Sequence, residues 1–181
     1  MQTEIVIAGF GGQGILFAGQ ILARAAMALG RNVTWLPSYG PEMRGGTANV
    51  TVIISDEEIG SPLTPQPQAV LVFNLPSLQK YEPLVKPGGV LVVNSSLIDQ
   101  PVQRTDITVA PVPANDIALQ LGSDKAANMV MLGALVAATD VLPLESVAEA
   151  LREYLAAHGH AALSADEAAL RRGAELLQRV R

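Results

Sequence analysis

The 181-residue sequence contains no cysteine. That excludes disulfides and any iron–sulfur cluster held by this chain's own thiolates. Histidine is nearly as scarce. The two present, His158 and His160, flank Gly159 after a helical pattern, which reads as a solvated helix C-terminus and not as a metal site. Charged residues make up only 16% of the chain, against about a quarter in an ordinary soluble domain. The net charge of −5 and the isoelectric point near 5.0 argue against nucleic-acid binding and against a docking face for a small acidic electron carrier. No basic segment precedes the first apolar run, so no secretory signal is expected and the cytoplasm is the expected location. The longest apolar run, Met129–Ala138, falls well short of the ~20 residues a membrane span needs. Low charge together with that run suggests more apolar supply than one small domain uses, and association with other chains is expected on that basis.

What is present is an alternation of strand and helix patterns. Strands are expected at 4–8, 32–36, 47–54, 69–73, 90–93 and 107–110. Helices are expected at 13–29, stopped by Gly30, then at 76–84, at 124–139 with Ser123 or Asp124 as cap, and at 143–157. A last helix is opened by Ser164-Ala-Asp-Glu167 read as a capping box. Asp56-Glu-Glu58 is a turn, with Ile59 beginning a short return. The alternation of Ala48, Val50, Val52 and Ile54 with polar neighbours suggests a partly solvated antiparallel strand. Residues 1–181 read as one domain built on a mostly parallel sheet.

The segment Glu4-Ile-Val-Ile-Ala-Gly-Phe-Gly-Gly-Gln-Gly14 carries the most information. A short apolar strand ends in Gly9-x-Gly11-x-x-Gly14, and a helix pattern follows at once. Such a loop sets backbone N–H groups and a helix N-terminus against a phosphate. Gly9 would allow the tight turn, Gly11 close approach of a pyrophosphate, and Gly14 close packing of helix on strand. With Gly12 and Gln13 these are the first candidate binding residues. The competing reading is that the glycines only let the helix sit tightly on the sheet. No acid ends the second strand, Thr34-Trp-Leu-Pro37, where a ribose-binding Asp or Glu belongs in an NAD site. No Lys-Ser/Thr follows the glycines, so the loop is not a Walker motif.

The second informative segment is Ser38-Tyr-Gly-Pro-Glu-Met-Arg-Gly-Gly-Thr-Ala-Asn49. Arg44 offers a planar fork suited to carboxylate or phosphate, and Gly45-Gly46 let the backbone lie close to a ligand or another chain. Tyr39, Glu42, Arg44, Gly45, Gly46, Thr47 and Asn49 complete the candidate set. Glu42 and Arg44 read equally as a local structural pair. Both loops are expected on one edge of the sheet, forming one site.

Taken together, these two segments resemble the gamma subunit of the 2-oxoacid:ferredoxin oxidoreductases. The resemblance continues through Asn74-Leu-Pro-Ser-Leu78, Lys86-Pro-Gly-Gly-Val-Leu-Val-Val-Asn94 and Ala127-Asn-Met-Val-Met-Leu-Gly-Ala134, over about residues 3–155. It implies a three-layer α/β/α Rossmann-like domain with an antiparallel feature near residues 47–60. It also implies a place in a complex that converts a 2-oxoacid and coenzyme A to acyl-CoA and carbon dioxide. In the family, electrons leave through thiamine diphosphate and iron–sulfur clusters to ferredoxin, and those cofactors with their magnesium belong to partner subunits. The implied partners are alpha and beta subunits, with a delta subunit in some complexes, and self-association is expected of the isolated chain. Coenzyme A is the one ligand this chain is expected to touch. The absence of Gly-Asp-Gly here agrees with that division, since thiamine sites use it to bind their hard cation. The Tyr39-Gly-Pro-Glu-Met-Arg44 form points towards 2-oxoglutarate or branched-chain members. An autonomous NAD(P)-binding reductase and a general nucleotide or coenzyme A module remain the alternatives.

Overall fold

The computed structural model describes residues 1–39, 47–159 and 163–178. Among these, six strands form one sheet: β1 (Gln2–Phe10), β2 (Asn32–Tyr39), β3 (Thr47–Ser55), β4 (Ala69–Val72), β5 (Val90–Asn94) and β6 (Thr108–Val112). Their spatial order is β2-β3-β1-β4-β5-β6. β1, β4, β5 and β6 are parallel, and β3 runs antiparallel to both β1 and β2. β2 therefore points the same way as β1 with one reversed strand between them. The expected mostly parallel sheet with an antiparallel feature is present. The short return expected at Ile59 is not, because the backbone there is irregular.

Six helices accompany the sheet among the described residues: α1 (Ile15–Ala28), α2 (Leu75–Tyr81), α3 (Ala114–Gln120), α4 (Ala127–Thr139), α5 (Leu144–His158) and α6 (Leu163–Gln178). Alternate strand residues face opposite ways. Ile5, Ile7, Val50, Val52, Leu71 and Val92 join α1 and α3–α6 in the main core. Val6, Ala8, Val70, Val72, Leu91 and Val93 meet Leu78 and Tyr81 of α2 on the other face. α1 ends as its sequence predicts: Gly30 has φ 74, its N–H donates to Met27 O, and Arg31 N–H donates to Ala26 O. That pair of bonds is a Schellman stop, which needs a residue tolerant of positive φ.

α4 corrects two expectations. It starts at Ala127 with Ala126 as the half-helical residue before it and no side-chain cap, so neither Ser123 nor Asp124 opens it. Its apolar run is core and not surplus, since every residue from Ala127 to Val136 is buried within this chain. The helix is apolar all round because the sheet and other helices enclose it. Its contact with α6 is a backbone contact: a Cβ on Gly133 would lie 1.8 Å from Leu170 O, and one on Gly173 would lie 1.9 Å from Val130 O. α6 begins at Leu163, one residue before the expected cap, which puts Ser164 inside the first turn. α3 had no counterpart in the sequence reading. The segment expected as one helix over 76–84 divides into α2 and a 3-10 turn at Glu82–Leu84, and Asn74 Oδ1 caps α2 by accepting from Ser77 N at 2.9 Å.

Candidate functional site at the carboxyl edge of the sheet

The glycine loop follows β1 at the edge where the parallel strands end. Gln13 N–H donates to Phe10 O at 3.2 Å, and Gly12 between them has φ 96. This is the geometry of a type II turn, whose third residue must accept positive φ. The Gln13 side chain fastens the turn from inside: its Oε1 accepts from Phe10 N at 2.7 Å and its Nε2 donates to Phe73 O at 3.5 Å. The glycines divide the work differently from the expectation. A Cβ on Gly9 would lie 2.6 Å from Gln13 Oε1 and 2.9 Å from Phe73 Cβ, so Gly9 serves close packing. Gly12 carries the turn, and space is open around it. Gly14, at φ 74, precedes α1 and packs against the carboxamide of Asn128 on α4, not against the strand.

α1 has no side-chain cap and no acid in its first turn. Its leading N–H groups therefore lack both a side-chain acceptor and a neutralising charge at the positive end of the helix dipole. α4 likewise has no side-chain cap before it and no acid in its first turn. A cleft of about 620 Å³ lies against both helix starts. Gly12, Gln13 and Gly14 form one wall, Lys125 and Asn128 another, and Phe17, Tyr154 and Leu155 an apolar side. The Phe17 and Tyr154 rings meet at 5.3 Å, and His158 stacks on Tyr154 at 4.1 Å. The Arg24 guanidinium lies 5.1 Å over the Tyr154 ring, within cation–π range. Asp124 and Asp166 also line it, so a place for an anion is confined to the uncapped helix starts.

The second loop reaches the same edge. Phe10 pairs with Thr47, Gly9 with Ala48, and Tyr39 with Ala48 across β2 and β3. Thr47 therefore stands beside the glycine loop. The side chains of Thr47 and Asn49 alternate with Ala48 and Val50, which face α1, so they project from the α2 face while the cleft opens on the α1 face. Glu42, Arg44, Gly45 and Gly46 lie outside the described residues. Sequence reading missed Asn128, Lys125, Phe17 and Tyr154. The first two sat in view next to the α4 pattern, but nothing local marks Asn128's contact with a loop more than a hundred residues earlier or the place of Lys125 on the same cleft.

Displaced titrations occur away from the cleft. Arg171 and then Arg152 hold the Glu145 carboxyl below the usual carboxylate range on the α5–α6 surface. Arg104 does the same to Asp106. Neither group lines the cleft. Among the described residues no cluster of His, Cys, Asp or Glu is arranged to hold a metal ion, and no helix is long and apolar enough to cross a membrane.

The topology also bears on the NAD alternative. In a dinucleotide fold the parallel neighbour of β1 ends in the acid that holds the ribose. Here β3 takes that neighbouring place in the reverse sense, and β2 ends Pro37-Ser-Tyr39 without an acid. Among the described residues the ribose half of such a site is not built.

Comparison with known proteins agrees with this geometry. The family model for pyruvate ferredoxin/flavodoxin oxidoreductase matches residues 4–176. The 2-oxoglutarate synthase subunit KorC of Methanocaldococcus jannaschii is 38% identical over 154 residues, covering 83% of this chain and 82% of KorC. The ketoisovalerate oxidoreductase subunit VorA of Methanothermobacter marburgensis is 41% identical over 136 residues, 75% of this chain, but this chain spans only 28% of VorA. The crystal structure of a keto/oxoacid ferredoxin oxidoreductase gamma subunit from Geobacter sulfurreducens superposes with a TM-score of 0.83 at 33% identity, covering 98% of this chain and 99% of that one. The 2-oxoglutarate:ferredoxin oxidoreductase of Magnetococcus marinus, solved with 2-oxoglutarate, coenzyme A and succinyl-CoA bound, shares the fold. Its TM-score is 0.90 at 24% identity, over 99% of this chain and 32% of that one. The chain belongs to the pyruvate ferredoxin/flavodoxin oxidoreductase family.

Proposed function

We propose that this chain is the gamma-type subunit of a cytoplasmic, multi-subunit 2-oxoacid:ferredoxin oxidoreductase. In this reading it works with alpha and beta partners, and a delta partner where the complex has one, and passes no electrons itself. The observation that carries the reading is the match along nearly the whole of a free-standing gamma subunit. The relatives named for 2-oxoglutarate and ketoisovalerate favour those two acids as substrates over an aryl-pyruvate. With no cysteine the chain supplies no thiolate for a cluster, so the redox centres and the thiamine belong to its partners.

Its own contribution is a contact with coenzyme A. The Gly11–Gly14 backbone and the uncapped start of α1 meet the pyrophosphate, and Arg44, oriented by Glu42, supplies charge from the second loop. Tyr39, Gly45, Gly46, Thr47 and Asn49 shape the approach. The relative solved with coenzyme A bound, which shares this fold, supports the choice of ligand. The test is co-expression with its partner chains, followed by 2-oxoacid-dependent viologen reduction. Activity with 2-oxoglutarate or 3-methyl-2-oxobutanoate is expected from the complex and none from this chain alone, even with thiamine diphosphate and magnesium added. In the assembled complex Arg44→Ala should raise the KM for coenzyme A about tenfold to a hundredfold, the loss of one charge-assisted hydrogen bond. An unchanged KM removes Arg44 from the site, and failure to recover any partner chain removes the subunit assignment.

A further inference from the structure

We infer that Asn128 is a positioning residue for the anionic part of the ligand at the glycine loop, an inference that rests on the coenzyme A reading above. Asn128 is the second residue of α4 and is 5% exposed. Its Nδ2 donates to Gly14 O at 3.2 Å, and its Oδ1 accepts from Met129 N at 2.9 Å. Gly14 O is also the first acceptor of α1, taking Ala18 N–H at 3.0 Å. One carboxamide thus joins the starts of two helices. The absence of a side chain on Gly14 is part of the joint, because a Cβ there would lie 2.3 Å from Asn128 Nδ2.

Both helix starts line the same cleft, and Lys125 stands three residues before Asn128 on its wall. The first-turn N–H groups of a helix point out along its axis, so their use to an anion depends on where that axis is aimed. Turning α1 about its start would aim its first-turn N–H groups away from the ligand without unfolding the helix. The Asn128 amide opposes that rotation by holding the carbonyl at the pivot. It touches no substrate in this account. It acts through Gly14, and its effect should be confined to the part of the ligand that meets the loop.

The assembled complex provides the test, with coenzyme A and pantetheine compared as acyl acceptors. Pantetheine carries the thiol but no pyrophosphate. In Asn128→Ala the KM for coenzyme A should rise about tenfold, the scale of one weakened bond from the misaimed helix N–H groups to the charged pyrophosphate. The kcat at saturating coenzyme A and the KM for pantetheine should hold. Asn128→Asp keeps the shape and the bond from Met129 N but sets a carboxylate against Gly14 O, and its effect on coenzyme A should be larger. A purely structural tie between helices would move both acceptors together. Equal shifts for the two acceptors, or no shift in either variant, would overturn the inference, and so would failure of both variants to assemble. If the wild-type complex itself uses pantetheine as well as coenzyme A, the pyrophosphate contact at the loop falls first and Asn128 falls with it.

Discussion

Replacing Gly14 by alanine perturbs the joint between α1 and α4 in two separable ways. The first is conformational: Gly14 sits at φ 74, where an L-residue with a Cβ costs about 1–2 kcal/mol. The second is steric. The new Cβ would stand 2.3 Å from Asn128 Nδ2 and 2.9 Å from its Cγ, so the carboxamide must leave. Its departure gives up the bonds to Gly14 O and from Met129 N, each about 0.5–1.5 kcal/mol net. The sum is about 2–5 kcal/mol, or a fall in Tm of roughly 4–20 °C at about 2–4 °C per kcal/mol for a chain of this size. Urea unfolding of the wild type, Gly14→Ala, Asn128→Ala and the double variant measures it. With Asn128 already cut back, Gly14→Ala should cost only its conformational share. The double variant should therefore be more stable than the two single losses predict by about 1–3 kcal/mol. Losses that add to within about 0.5 kcal/mol would refute the claim that these residues share one joint.

Gly133→Ala and Gly173→Ala should each destabilise by about 2–4 kcal/mol, because overpacking against a carbonyl outweighs the ~1 kcal/mol that alanine gains in a helix. In Gly19→Ala the new Cβ would stand 2.8 Å from Cγ1 of the fully buried Val50, a stiff β-branched side chain, and the cost should be about 1–3 kcal/mol. A rise in Tm for Gly133→Ala would show that α4 and α6 are not in backbone contact. Glu82 Oε1 accepts from Gln103 N and Arg104 N, so Glu82→Ala should cost about 2–4 kcal/mol and open residues 101–106 to protease; an unchanged digestion pattern would count against it. Glu145 is held low by Arg171 and Arg152. A depressed folded pKa stabilises above the unfolded value near 4.5, and the gain disappears as pH falls through the folded value. The stability difference between wild type and Glu145→Gln should therefore be positive at neutral pH, shrink on acidification and weaken with salt. A difference that grows in acid would have the wrong sign.

Features set by local pattern were legible in the sequence. Strand β1, its glycine loop and α1 announce themselves by an apolar run, three spaced glycines and a helix stop at Gly30. The antiparallel β3 showed in the alternation of Ala48, Val50, Val52 and Ile54 with polar neighbours. What escaped depends on distant contacts. The run Met129–Ala138 looked like surplus because its enclosing partners, among them α6 through Leu170 and Ala174, are remote in sequence. α3 is only seven residues long and follows Pro111 and Pro113, which interrupt a helical pattern. Asn128 is a polar residue at the edge of an apolar stretch, and its partner Gly14 is 114 positions away. The roles of the glycines were misassigned for a related reason. The spacing shows where flexibility is needed, but only the three-dimensional neighbours show that Gly12 makes the turn and Gly14 makes room for Asn128.

The reversed strand β3 changes what stands beside the glycine loop. In a fully parallel dinucleotide fold, the end of β2 stands beside the glycine loop, and the ribose is read from there. Inserting β3 pushes β2 one place outward, so that Tyr39 opposes Ala48 while Thr47 takes the place beside Phe10. The phosphate-facing half of the scaffold is kept, with its turn, its uncapped helix and its open space at Gly12. Where the ribose-reading strand end would stand, the described residues put Thr47, the first residue of a reversed strand. The order of three strands thus sets this sheet apart from the dinucleotide fold before any side chain in the cleft is considered.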